Sequence, residues 1–160
     1  GSNVQITAPV TASAEVSASA FVDGSRIFKT APNGAFQVNG DIVKFGGGSV
    51  SQGRIYYYAG GSWEIADHAS EADATGFLGL ALGSSVTEDG MLIRGFINLA
   101  GDSGTDGTPL YLGASNGTTQ DAAPTGTGNY VRIVGYVLDD AHGAGSLLWF
   151  DPDKSWVELA

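Results

Sequence analysis

Apolar and polar positions alternate in short runs over most of this chain of 160 residues. That period places every second side chain on one face of a β-strand. The runs include "RIYYYA", "GFLGLAL", "MLIRGFINLAG", "PLYLG", "VRIVGYVL" and "SLLWF", and GG, DG, NG and SG pairs punctuate them as turns. "FQVNGDIVKF" (36–45) predicts a hairpin, because alternating apolar residues flank Asn39-Gly40, a pair suited to a tight primed turn. Only "SWEIADHASEADA" (62–74) offers helix-forming residues, enough for one or two turns. Many short strands joined by glycine turns predict an all-β fold, a small barrel or sandwich.

The beginning of the chain reads differently. In "VQITAPVTASAEVSASAFVDGSRIFKT" the large apolar residues are sparse, and Ala, Ser and Thr fill the space between them. Such a segment has too little bulk for a core of its own, and small residues let several copies approach a common axis. It predicts an extended, oligomerising arm over residues 3–45, hairpin included, with a flexible arm as the alternative. The Gly/Ser stretch "GGGSVSQG" (46–53) then marks a boundary to a β head over residues 46–160. Gly1-Ser2 has the form of a cloning scar, and "GSNVQITAPV" lacks the basic start and apolar stretch of a signal peptide.

Within the head the chain repeats itself. "GRIYYYAGGSWE" matches "GTPLYLGASNGTTQ": Gly53 and Gly107 are 54 apart, as are Tyr57 and Tyr111, while Gly61 and Gly117 are 56 apart. "GFLGLAL" matches "VRIVGYVL", with Gly79 and Gly135, and Leu82 and Leu138, again at 56. Two related β units, about 53–100 and 107–150, are therefore expected to close into one fold. The tyrosine run reads as a strand with Tyr57 and Tyr111 facing inward, which leaves Tyr56 and Tyr58 on the opposite face.

Composition narrows the function. With 7 basic residues and a net charge of −10, nucleic acid and anionic lipid are poor partners. No apolar run approaches the roughly 18 residues of a membrane helix, so no membrane insertion is expected. The absence of cysteine excludes disulfides, thiolate metal sites and a Cys nucleophile. "GDSGT" (101–105) resembles the nucleophile motif of chymotrypsin-like proteases, but the upstream histidine, His68, lies only 35 residues before Ser103 and leaves no room for a first barrel. Asp102, Asp106, Asp139, Asp140, Asp151 and Asp153 read as solvated turn carboxylates rather than a Ca²⁺ loop, since the EF-hand ligand series is missing. His142 in "DDAHGAG" reads as a surface turn residue. Glu64, Asp67, Glu71 and Asp73 could supply a glycosidase pair only if the fold set two of them across a cleft. No catalytic residue, metal site or cofactor is expected.

The arm, with its small residues between spaced Val and Phe, resembles shaft segments of bacteriophage tail fibres. The doubled Gly-x-x-x-Tyr strand, glycine-led turn and apolar-Gly-apolar strand resemble small β domains of phage virion proteins, both tail-fibre heads and capsid decoration proteins. The resemblance implies a non-enzymatic homotrimer, joined through the arm and held in the virion with other virion proteins. It further implies multivalent adhesion to a host surface glycan, with capsid decoration as the alternative and a glycan-degrading enzyme as a minor one. Stacking of aromatics on sugar rings nominates Trp63, Tyr56 and Tyr58 as ligand-binding residues. Asn116 and Asp121 are nominated in the equivalent region of the second copy, and Trp156 more weakly. The acidity of the chain predicts neutral sugars.

Overall fold

The computed structural model describes residues 34–100 and 104–160. Residues 3–33 of the arm expected over 3–45, and Asp102 and Ser103 of "GDSGT", lie outside the described residues. The protein is all-β. Its strands are β1 (Val38–Val43), β2 (Ile55–Ala59), β3 (Ser62–Ile65), β4 (Phe77–Ala81), β5 (Met91–Leu99), β6 (Pro109–Leu112), β7 (Thr119–Gln120), β8 (Tyr130–Val131), β9 (Ile133–Asp139), β10 (Ser146–Phe150) and β11 (Val157–Glu158). One short helix, α1 (Glu71–Thr75), starts at an N-cap Ser70 whose side chain accepts from the Asp73 amide. The stretch 62–74 with its helix-forming residues thus divides, with residues 62–65 becoming β3.

The main sheet is antiparallel and runs β3-β2-β4-β5-β10-β9-β6-β7, with β1 added on β5. This order is a palindrome: β3-β2-β4-β5 is mirrored by β7-β6-β9-β10. The sheet curls until its ends meet. The turn before β7 reaches back to the first copy, where the Ile55 amide donates to Gly117 O (2.8 Å) and the Gly117 amide donates to Ala66 O (2.9 Å). The position equivalent to Ile55 is Pro109, which has no amide to donate, so this closure is made once and not twice.

The matched glycines have a shared structural cause. Gly53 and Gly107 both sit at φ 77°, third in the turns Ser51–Arg54 and Thr105–Thr108. That position of a type II turn needs positive φ. Each turn feeds a β-bulge of the same construction. The Gly53 amide donates to Ala81 O (2.8 Å), whose own amide donates to Arg54 O (2.9 Å). Likewise the Gly107 amide donates to Val137 O (2.8 Å), and the Val137 amide donates to Thr108 O (3.0 Å). Strand register follows suit: Tyr56 faces Gly79, and Leu110 faces Gly135.

The copies then part. Tyr57 pairs with Leu78, but Tyr111 pairs with Ile133 and skips Val134. This irregularity on β9 turns the following residues over. Val134 and Val137 enter the main core where the first copy sends in Leu78 and Leu80, and Tyr136 comes out to solvent. The expected pairing of Tyr57 with Tyr111 inside is therefore corrected. Tyr57 packs against the main core, where Asp73, hydrogen-bonded to its hydroxyl, raises the phenol above its ordinary value. In the second copy the core positions belong to Leu110 and Leu112, and Tyr111 lies between them on the other face.

The hairpin expected at Asn39-Gly40 is also corrected. Residues 38–43 form one strand that pairs with β5, so β1 belongs to the sheet of the head. Gly40 stands opposite Gly95, and two residues without side chains let the backbones close up.

Candidate functional site

Of the nominated aromatics, Trp63, Tyr56 and Tyr58 belong to a second core, whereas Trp156 is exposed. Trp63 is 1% exposed and Tyr56 is 4% exposed. With Val50, Ala81, Val86 and Met91 they fill the outer face of the first copy, beneath the segment 44–51. The cover is tied down by a backbone bridge at Gly47, whose amide donates to Gly61 O (2.9 Å) and whose carbonyl accepts from the Trp63 amide (2.9 Å), and by two side-chain bonds. Trp63 Nε1 donates to Phe45 O (2.8 Å), and the Ser51 amide donates to the Tyr56 hydroxyl (2.8 Å). Tyr58 is half-buried, its ring 5.2 Å from Trp63 and 5.0 Å from Phe45. A ring packed on both faces cannot stack on a ligand, so Trp63 and Tyr56 are withdrawn as contact residues. Asn116 is a turn residue at φ 53° beside Gly117, and Asp121 is exposed beyond β7. Neither belongs to the cluster around Trp63.

The acidic and histidine candidates have local duties. Asp67 accepts from the Ala69 amide (2.7 Å). His68 is buried, and its amide donates to Gly113 O. Carboxylates of Asp106, Asp139 and Asp140 come within 4.8 Å of one another. Asp106 there accepts from the Asp140 amide (2.7 Å), and Asp139 accepts from the Ala141 amide (3.2 Å) and meets His142 Nδ1 (3.0 Å). The His142 hydrogen bond holds the Asp139 carboxyl below its usual value. These contacts close the turns around them.

A concave site lies where the sheet splits. β5 pairs with β4 through Met91 and Leu92, and with β10 through Gly95–Leu99. Ile93 and Arg94, in between, pair with neither. On the far side the chain leaving β10 bends onto β9, with the Asp151 amide donating to Val134 O (3.0 Å) and the Asp153 amide to Ile133 O (2.9 Å). The gap is a cleft of about 270 Å³. Phe77, Leu78, Ile93 and Pro152 give it an apolar lining, and Asp41, Arg94, Arg132, Asp151 and Lys154 supply charge.

Arg132 holds the two lips together. It is 5% exposed; its Nη1 donates to Ala74 O (2.6 Å) and Gly76 O (2.7 Å), and its Nε to Asp153 O (2.8 Å). The first two carbonyls end α1, directly before Phe77, while the third lies between Pro152 and Lys154. Burial lowers its pKa to about 10, against the raising effect of Asp153, so it remains a cation at neutral pH. At the rim, Arg94 Nε lies 3.3 Å from Asp151 Oδ2, and its guanidinium sits 5.5 Å over the Trp149 ring. Phe77 is 48% exposed and backed by Trp63 at 5.8 Å.

Beyond Arg94 the outer face carries an aromatic row. Phe96, Trp149 and Tyr136 are directly opposed across β5, β10 and β9, hence on one face, with Phe96 and Trp149 edge to face at 5.0 Å. Sequence reasoning missed both the cleft and the row. The legible signal was a cation inside an apolar strand, Arg94 in "MLIRGFINL" and Arg132 in "VRIVGYVL", because such a residue must find partners. The chain matches no family profile, no curated protein and no solved structure.

Proposed function

We propose that the protein is a non-enzymatic adhesion module that binds a glycan in the split cleft, with a phage tail fibre as its setting. The single observation behind the site is the cleft itself. A half-exposed aromatic ring, Phe77, stands across from Arg94, Asp151, Asp41 and Lys154 in a concavity large enough for one sugar residue. A sugar presents an apolar ring face and a rim of hydroxyls, and these groups complement both. The row Phe96–Trp149–Tyr136 extends the surface for further residues of the same chain, since neighbouring strands about 4.8 Å apart space their side chains at roughly the length of a pyranose ring.

The fibre setting rests on the resemblance of the arm and of the doubled strand pattern. In the homotrimer that the small-residue arm favours, three such clefts act together, and linked weak sites gain about 10²–10⁴ in avidity. A glycan array tests the assignment. Wild-type protein should bind host-type oligosaccharides. Phe77→Ala should weaken that binding by about tenfold or more, as for loss of an anchoring aromatic, with little change in melting temperature because the ring is only half covered. Undiminished binding by Phe77→Ala would remove the cleft, and tight binding to empty capsids without any glycan would favour decoration.

A further inference from the structure

We propose that the cleft selects an acidic sugar, one whose ring carries a carboxylate. This rests on the glycan-binding reading and narrows it. The described residues contain five cationic side chains, Lys44, Arg54, Arg94, Arg132 and Lys154. Three of the five, Arg94, Arg132 and Lys154, line this one cleft, against two carboxylates, Asp41 and Asp151. The local lining therefore carries an excess of one positive charge in a protein of net charge −10.

The cations have distinct parts. Arg132 spends its Nη1 and Nε donors on Ala74, Gly76 and Asp153 carbonyls and supplies fixed charge in the wall. Arg94 is held in place by Asp151 and Trp149 while its side chain stays 58% exposed. Lys154 is exposed and makes no ion pair among the described residues. A carboxylate on a sugar whose apolar face rests on Phe77 meets the free ammonium of Lys154 from one side and the outer edge of the Arg94 guanidinium from the other.

Net charge alone argued for neutral sugars. Distance reverses that expectation. Exposed charges farther away than about 8 Å are largely screened at physiological salt, so the acidic remainder of the surface acts weakly on a group seated in the cleft. The cations beside it are screened far less.

The test compares two β-linked disaccharides, one ending in glucuronic acid and one in glucose, its carboxyl-reduced counterpart, by calorimetric titration of the full chain. Wild type should bind the acidic one about tenfold more tightly at low salt, a preference that shrinks as salt rises. Lys154→Gln should abolish the ratio between the two, with an unchanged melting temperature showing that the exposed substitution leaves the fold intact. Equal affinities in wild type, or a ratio that survives both Lys154→Gln and Arg94→Gln, would overturn acid selection and leave glycan binding standing. Failure to bind either sugar at millimolar concentration would overturn the glycan reading itself, and this inference with it.

Discussion

Trp63→Ala is expected to lower the free energy of unfolding by about 3–5 kcal/mol, the range for removing a large aromatic from a core. The indole is the centre of the outer cluster: Tyr58, Phe45 and Phe77 all lie within 5.8 Å of it, ring centre to ring centre. Its Nε1 hydrogen bond to Phe45 O anchors the segment that covers Tyr56 and Met91. Truncation opens a cavity and frees that cover at once. Trp63→Phe keeps most of the packing and loses the hydrogen bond, so its cost should be smaller, about 1–2 kcal/mol. Urea denaturation followed by circular dichroism measures both. A loss below about 1 kcal/mol for Trp63→Ala would mean that the ring is not packed as described and would restore it as a ligand platform.

The second large effect concerns Arg132. Its replacement by methionine, similar in length and apolar, should cost about 3 kcal/mol or more, since each buried acceptor left unmatched costs about 1–3 kcal/mol. Three carbonyls, those of Ala74, Gly76 and Asp153, lose their donors together. Unmatched buried acceptors are costly, whereas a purely apolar swap of donor and acceptors would not be. Arg132→Lys should recover only part of the loss, because one ammonium cannot reproduce a planar fork that reaches α1 on one side and residue 153 on the other. Thermal unfolding of the three proteins checks the order wild type, Arg132→Lys, Arg132→Met. Methionine equal to wild type would show that the lips of the cleft are held by packing alone.

Much of the fold could be read from local pattern, and the failures share a cause. Gly53 and Gly107 were legible because turn chemistry is local: a glycine at positive φ, then a strand, twice. Asn39-Gly40 misled for the same reason. Its flanking alternation describes a strand faithfully, but the partner is β5, more than fifty residues on, and a local motif cannot exclude a distant competitor. Tyr111 shows a subtler limit. Its alignment with Tyr57 holds in strand register up to Leu110, yet the faces are already reversed there: Leu110 enters the main core, whereas its match Tyr56 joins the outer cluster.

The aromatic site was misjudged because burial of Tyr56 and Trp63 depends on "FGGGSV" (45–50), which has the composition of a linker. Gly46 is small because it lies against the Tyr58 and Trp63 rings, where a side chain would collide. The cleft was invisible for a related reason. Phe77, Arg94, Arg132 and Lys154 are scattered over 78 positions, and only the split of β5 between β4 and β10 assembles them.

A ligand held in this cleft would be located by amide chemical-shift mapping of isotopically labelled protein with the glucuronic acid disaccharide. Shifts should saturate together at Phe77, Leu78, Ile93, Arg94 and Lys154, with weaker ones along Phe96, Trp149 and Tyr136 and none around Asn116 and Asp121. Saturable shifts confined to residues 111–121 or to Trp156, with the cleft residues unmoved, would contradict binding in the cleft.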